Sequence, residues 1–248
     1  MKLKVFHIVA RSISYNLKNA VYQASIILLL AAVITGSLLT GKSVRKSLRQ
    51  TSLEKLGNTG ILISSGIRYF DPSLAERISS ETGLKTTGLL ELDGYCQHFS
   101  SGQTASRIKI YGITDDFFSF QGHPGLVVNK GEIAVNERLA DYLGIKTGDE
   151  LIIRFNSISS IPADAPFSPG KGATASMVLK TGAIFTSANS GNFSLGITQI
   201  TPMNIFINRS DLVDADGKIP EINRLLLENQ KSMTVDDIYK DLCSVIKP

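Results

Sequence analysis

Three hydrophobic patterns follow one another along the first 57 residues. At about 100° per residue, Phe6, Val9, Ile13 and Leu17 share one helical face and Lys4, His7, Arg11 and Lys18 the other, which predicts an interfacial amphipathic helix over residues 1–18. Between Lys18 and Lys42 lie 23 residues without a formal charge, among them the run Ile26-Ile27-Leu28-Leu29-Leu30-Ala31-Ala32-Val33-Ile34. As a helix they would extend about 34 Å against a bilayer core of about 30 Å, so residues 19–41 predict a transmembrane helix. A cleaved secretory signal fits worse, because its apolar region is about 7–15 residues long and ends at a small-x-small site. Past the span, Val44, Leu48, Leu53 and Leu56 keep an approximate helical spacing until Gly57-Asn58-Thr59-Gly60 interrupts it. This predicts that the span continues as a stalk helix over residues 42–57.

Residues 58–248 alternate short apolar runs with capped helical segments. Strands are expected over 61–63, 88–99, 106–113, 132–135, 151–155, 177–185, 203–208 and 222–227. Helices are expected from Asp71-Pro72 to near Thr82, from Asn136 to Leu143 with Gly144 closing it, and after Thr234, with Ile238, Leu242 and Val245 on one face. Residues 156–172 read as a long loop, with Pro162, Pro166 and Pro169 set among serines; such a loop is either a contact element or a disordered insertion. The fold class is α+β: an N-terminal transmembrane helix and stalk, then a mixed α/β domain.

Composition sharpens the membrane reading. With 43% hydrophobic and 19% charged residues over 248 positions, the chain can bury one or two cores and is not disordered. Residues 1–55 hold nine Lys or Arg against the single acid Glu54, while residues 56–248 hold 17 bases against 21 acids. A nucleic-acid-binding domain would spread its bases over a folded face, so that class is excluded; the basic start of the chain is expected to meet anionic lipid at the N-terminal helix. Lys2, Lys4, Arg11 and Lys18 before the span balance Lys42, Arg45, Lys46, Arg49 and Lys55 after it. Long domains cross largely regardless of charge, so a translocated C-terminal part is permitted. Two cysteines, Cys96 and Cys243, are too few for a disulfide framework or a four-ligand zinc site.

Several motifs match chemistry without its context. Gly36-Ser37-Leu38-Leu39-Thr40-Gly41-Lys42-Ser43 satisfies the phosphate-loop pattern, yet Gly36 falls within the span, where no phosphate can be cradled. Ser43-Val44-Arg45-Lys46, Lys180-Thr181-Gly182 and Ser187-Ala188-Asn189 supply the three elements of a penicillin-binding serine acyltransferase in the wrong order, and Lys146-Thr147-Gly148 repeats the second by chance. Cys96 and His98 share a strand face, but His7 and His123 are the only other histidines, so a packed strand pair outweighs a metal site. Asp214-Ala215-Asp216-Gly217 lacks the later ligands of a calcium loop and reads as a polar turn. Asp115 and Asp116 could pair for acid–base work, although Phe117-Phe118 after them suit a helix start that packs aromatics inward. Asn192-Phe193-Ser194 and Asn208-Arg209-Ser210 are glycosylation sequons. No catalytic, cofactor-binding or metal-binding residue is assigned, and no cofactor is expected.

Ile110-Tyr111-Gly112-Ile113-Thr114-Asp115-Asp116-Phe117-Phe118, together with Gly131-Glu132-Ile133-Ala134-Val135-Asn136-Glu137-Arg138-Leu139-Ala140-Asp141-Tyr142-Leu143-Gly144-Ile145-Lys146-Thr147-Gly148-Asp149-Glu150-Leu151, carries a family resemblance. The layout resembles the N-terminal part of an FtsX-like ABC-transporter permease with a MacB-type periplasmic core domain; weaker matches lie at 177–185 and 204–208. Physically the matching residues are structural, with Gly144 ending a helix, Gly148 turning the chain, and Leu139, Leu143 and Leu151 filling a core. The resemblance implies a non-enzymatic permease subunit whose partners are a cytoplasmic ABC ATPase subunit and a second permease copy or homologue. It places the N-terminus in the cytoplasm and residues 42–248 outside it, in a domain that handles an envelope or export substrate. Members have four or more spans, so the coding sequence is expected to continue past Pro248 into further apolar stretches. The alternatives are a single-pass envelope scaffold or binding domain and an anchored serine acyltransferase.

Overall fold

A computed structural model describes residues 5–64, 66, 69–156, 174–196, 200–212 and 221–228. The loop expected after Asn156, the turn at Asp214, the helix capped by Thr234, and Cys243 lie outside the described residues. The chain divides into two compact bodies, Met1–Thr51 and Ser52–Pro248.

The first body is helical. Helix α1, Val5–Tyr15, is followed after Asn16 by helix α2, Leu17–Leu56, whose last turn belongs to the second body. Asn16 barely interrupts the ladder, since its N–H reaches Ser12 O at 3.1 Å and its carbonyl receives Ala20 N–H at 3.0 Å. Helix α2 runs unbroken for 40 residues, about 60 Å, so the expected span and stalk form one helix. Among the described residues it is the only helix long and apolar enough to cross a membrane. Two hydroxyls within its apolar stretch are satisfied by the helix itself: Ser25 Oγ donates to Val21 O at 2.8 Å and Thr40 Oγ1 to Gly36 O at 2.9 Å, the arrangement that makes such residues tolerable in hydrocarbon.

Among the described residues the second body is built on eight strands: β1 Thr59–Ser64, β2 Thr86–His98, β3 Thr104–Ile113, β4 Glu132–Asn136, β5 Glu150–Asn156, β6 Thr174–Phe185, β7 Asn204–Asn208 and β8 Arg224–Glu228. Their order is β1-β8-β2-β3-β7-β4-β6-β5, with β5 returning to pair β2. The thirteen-residue β2 makes this closure possible by changing partners along one edge, Thr86–Leu89 facing β8 and Gly94–His98 facing β5. Six strands thus form a closed ring, and β8 with β1 extends from it. The ring is mixed: β3 runs parallel to β7 and β4 to β6, and the other pairs are antiparallel.

Strands β4 and β7 and the second half of β3 are buried on both faces, which explains their nearly continuous apolar runs. On one face Ile110, Ile133, Val135, Ile205 and Ile207 pack with Leu151, Ile153 and Phe155, and helix α5, Glu137–Leu143, adds Leu139, Ala140 and Leu143. On the other, Tyr111, Ala134 and Phe206 meet Phe117, Phe118 and Phe120 of the short helix α4, Phe117–Phe120, together with Phe185 and Phe193. Helix α3, Ser73–Thr82, lays Ala75 and Ile78 on Leu225 and Leu227 of β8. Gly83 and Gly144 close α3 and α5 in the left-handed conformation, with φ of 69° and 66°. The α+β reading of the sequence is the observed fold, with strand ends shifted by a few residues. What the strand pattern did not predict is the closed ring.

Candidate functional site

The second body is wired to the end of α2. Helices end with carbonyls that lack intrahelical partners, and here the domain supplies a partner for one of them. Ser194 N–H donates to Lys55 O at 3.1 Å, while Lys55 itself is buried and its Nζ donates to Ile200 O at 3.3 Å. Gly57 closes the helix in the left-handed region, φ 57°, with its N–H on Leu53 O at 3.1 Å. The next residue is clamped twice: Asn58 N–H donates to Gln121 Oε1 at 3.0 Å and Asn58 Nδ2 to Phe120 O at 2.9 Å. Gln121 Nε2 then donates to Thr59 Oγ1 at 3.3 Å, so one buried carboxamide bridges the helix cap and the first residue of β1.

This joint rests on rigid ground. Phe120 precedes Gln121 and Phe193 precedes Ser194, and both rings are buried in the aromatic cluster. Phe117 lies edge-on to Phe193 with centroids 5.3 Å apart, Phe193 meets Tyr111 at 5.3 Å, and Phe118 meets Phe185 at 5.1 Å. The segment bearing Phe193 is fixed in turn by Asn204, whose Nδ2 donates to Gly191 O at 2.9 Å and Phe193 O at 2.7 Å. Asn136 completes the chain of support. Its Oδ1 accepts both Leu139 N–H, capping α5, and Asn204 N–H at 3.0 Å. A force on the last turn of α2 therefore meets a packed core rather than a loose loop.

A second polar cluster ties β8 to the ring. Glu91 on β2 receives Lys109 Nζ at 3.0 Å and Arg224 Nε at 2.8 Å, and Lys109 also reaches Asp93 at 2.8 Å. Asn223 and Glu91 exchange two further bonds of 2.8 Å. Tyr111 sits opposite Glu91 in the β2–β3 register. Burial above all, then the Glu91 and Asp93 carboxylates, holds its phenol well above the ordinary range.

The sequence candidates fall apart as chemistry. Residues 36–43 are helical throughout, so their N–H groups are committed to the ladder and no phosphate loop exists. Thr181 of the Lys180-Thr181-Gly182 motif is buried within β6, and Ser187–Asn189 forms a 3₁₀ turn. Cys96 lies inside the core, where burial pushes its thiol up to about 12, away from nucleophile or metal-ligand chemistry at neutral pH. Asp115 Oδ1 accepts Asn208 Nδ2 at 3.1 Å and Asp116 accepts the Thr114 hydroxyl, while Phe117 and Phe118 point inward as the aromatic reading expected. Of the two sequons, the Asn208 amide also accepts Ser210 N–H at 3.1 Å, and Phe193 and Ser194 are buried. Among the described residues, no three of His, Cys, Asp and Glu gather as metal ligands.

One grouping that the sequence did not single out resembles a catalytic triad. Ser101 Oγ lies 3.0 Å from His98 Nδ1, and His98 Nε2 lies 3.4 Å from Asp149 Oδ2. Two of the three groups already serve turns, however: Ser101 Oγ accepts Gln103 N–H at 3.3 Å and Asp149 Oδ2 accepts Lys146 N–H at 2.7 Å. It is a strut between the β2–β3 hairpin and the turn before β5. The joint at α2 was half visible in sequence, through the Gly57-Asn58-Thr59-Gly60 break. Gln121 and Ser194 were missed, because nothing local marks a residue whose partner lies more than sixty positions away.

No family model matches the chain, and no curated protein matches it. Among solved structures it is similar to the periplasmic region of MacB from Actinobacillus actinomycetemcomitans, with a TM-score of 0.50 and 10% identity over 79% of this chain and 86% of that one. The extracellular domain of the ABC-type transporter YknZ from Gram-positive bacteria aligns with a TM-score of 0.42 and 9% identity, over 73% and 86%. The first likeness establishes the fold: the mixed α/β chain is built as the periplasmic region of MacB is, the fold that the resemblance in residues 110–118 and 131–151 implied.

Proposed function

We propose that this chain is part of an ABC-transporter permease, in which α2 spans the membrane and carries motion between a cytoplasmic ABC ATPase and an extracytoplasmic domain. The observation that carries the reading is the joint: a helix of membrane-crossing length ends in a turn bonded at Lys55, Asn58 and Gln121 into a domain with the fold of the MacB periplasmic region. A tether that merely anchored a binding module would not require a terminal carbonyl and the cap residues to be held by the core. In this reading the N-terminus is cytoplasmic, residues 42–248 are extracytoplasmic, and a second permease copy or homologue supplies the helices against which α2 moves. The chain's own part is transmission, and substrate is handled by the domain without covalent chemistry.

The test is capture from native membranes. A photo-reactive amino acid at Tyr15 of the full-length gene product should crosslink to an ABC-type ATPase, and purification without crosslinking should retain that ATPase. Recovery of the chain with no ATPase would remove the transporter reading and favour the single-pass scaffold.

A further inference from the structure

We propose that α2 carries a lipid-binding face just beyond its apolar stretch, formed by Lys42, Arg45, Lys46 and Arg49, which takes the phosphates of anionic lipid headgroups in the leaflet on that side. This goes beyond the transporter reading and needs only that α2 span the bilayer.

The four cations occupy positions i, i+3, i+4 and i+7 of one continuous helix, so they share a single face about 100° wide. Ser43, Val44, Ser47 and Leu48 lie around the rest of the same two turns, so the charge is one-sided. All four are exposed, and among the described residues none of their side chains forms an ion pair or hydrogen bond. No acid precedes Glu54 anywhere in the chain, so nothing in this body neutralises them. Depth fits as well: Lys42 follows directly on the uncharged stretch, and Arg49 is about 10 Å farther along the axis. The headgroup layer is about 5–7 Å thick on each side, and long basic side chains can reach back toward it.

A second observation gives the face a task. Helices are usually held at both interfaces by Tyr and Trp, and Tyr15 and Tyr22 stand exposed near the first boundary. At the second boundary there is no such anchor, because no aromatic residue occurs between Tyr22 and Tyr69. The depth and rotation of α2 at that end are therefore set by charge alone. A one-sided cationic stripe fixes rotation in a way that an aromatic belt does not.

The absence of Trp from the chain allows a direct test. Leu38→Trp places an indole on the same helical face, one turn before Lys42, in the full chain reconstituted into phosphatidylcholine nanodiscs. Quenching by brominated phosphatidylglycerol is then compared with quenching by brominated phosphatidylcholine at equal mole fraction. The anionic lipid should associate at least about fivefold more strongly, the value of roughly one cation's attraction. The preference should vanish in K42Q/R45Q/K46Q/R49Q, persist in K42R/K46R and be untouched by K4Q/R11Q/K18Q. If the quadruple variant fails to insert, K42Q/R45Q and K46Q/R49Q should each lower the preference. Equal quenching by the two lipids, or a preference that survives neutralisation of these four residues, overturns the site. So does an indole that neither lipid quenches.

Discussion

Asn58 and Gln121 hold each other across the end of α2: the Gln121 carboxamide accepts the Asn58 backbone N–H at 3.0 Å, and the Asn58 side chain donates to the carbonyl just before Gln121 at 2.9 Å. The pair works only because Gly57 leaves room. A Cβ there would collide with Gln121 Oε1, on a backbone with φ of 57°. Gln121→Ala should cost about 1–3 kcal/mol through the buried partners it strands. Gly57→Ala should cost about 1–2 kcal/mol through left-handed strain and displacement of the same amide. Because both substitutions break one contact, the double variant should fall short of additivity by at least about 0.5 kcal/mol in urea denaturation. Strict additivity would show that Gly57 and Gln121 do not act together.

Gly94 tests the closed ring. At this residue β2 lies between Ile108 of β3 and Phe155 of β5, and a Cβ would meet Arg154 O at 2.5 Å and Ile110 Cδ1 at 2.7 Å. The first obstacle is backbone and cannot step aside. Gly94→Ala should destabilise the domain by about 2–3 kcal/mol and speed hydrogen exchange at the β2–β5 pairing before the β2–β8 pairing. Loss spread evenly over both pairings would contradict a local role for Gly94 in closing the ring.

Burial of Cys96 makes an alkaline prediction. Its folded-state pKa is raised from 9.0 to about 12, so between these values the unfolded chain releases the proton and the folded one keeps it. Stability should therefore be unaffected below about pH 9 and fall as pH rises, with a limiting slope of about 1.4 kcal/mol per pH unit from this group. In a Cys243→Ser background the excess slope over Cys96→Ala, from denaturation at pH 9–11, measures it. Identical slopes would place Cys96 in contact with water.

Residues 42–248, expressed without the apolar stretch, should be monodisperse by size exclusion without detergent, since Ser52–Pro248 forms its own compact body. Aggregation would mean that the domain depends on the span for its fold.

The sequence made the elements legible wherever a local rule operated. The uncharged stretch before Lys42 announced a membrane-length helix, Asn136 with Gly144 framed α5, and the short apolar runs around Ile133 and Ile205 marked strands. Long-range pairing was not legible. Nothing near Gly94 announces that β2 changes partner there, and Gln121 reads as an ordinary residue after an aromatic helix until the fold brings Asn58 to it. The family resemblance supplied the architecture, but the joint exists only in the folded chain, because its partners meet through tertiary packing.

The central claim, that α2 delivers motion to the domain through this joint, is tested most directly by hydrogen–deuterium exchange on the full-length gene product in nanodiscs with its copurifying ATPase. Spectra are compared with and without a non-hydrolysable ATP analogue. The account predicts a nucleotide-dependent change in protection at residues 52–59 and 120–121, reduced in Gln121→Ala while ATPase binding persists. Unchanged protection at these residues, with the ATPase and nucleotide both bound, would contradict it.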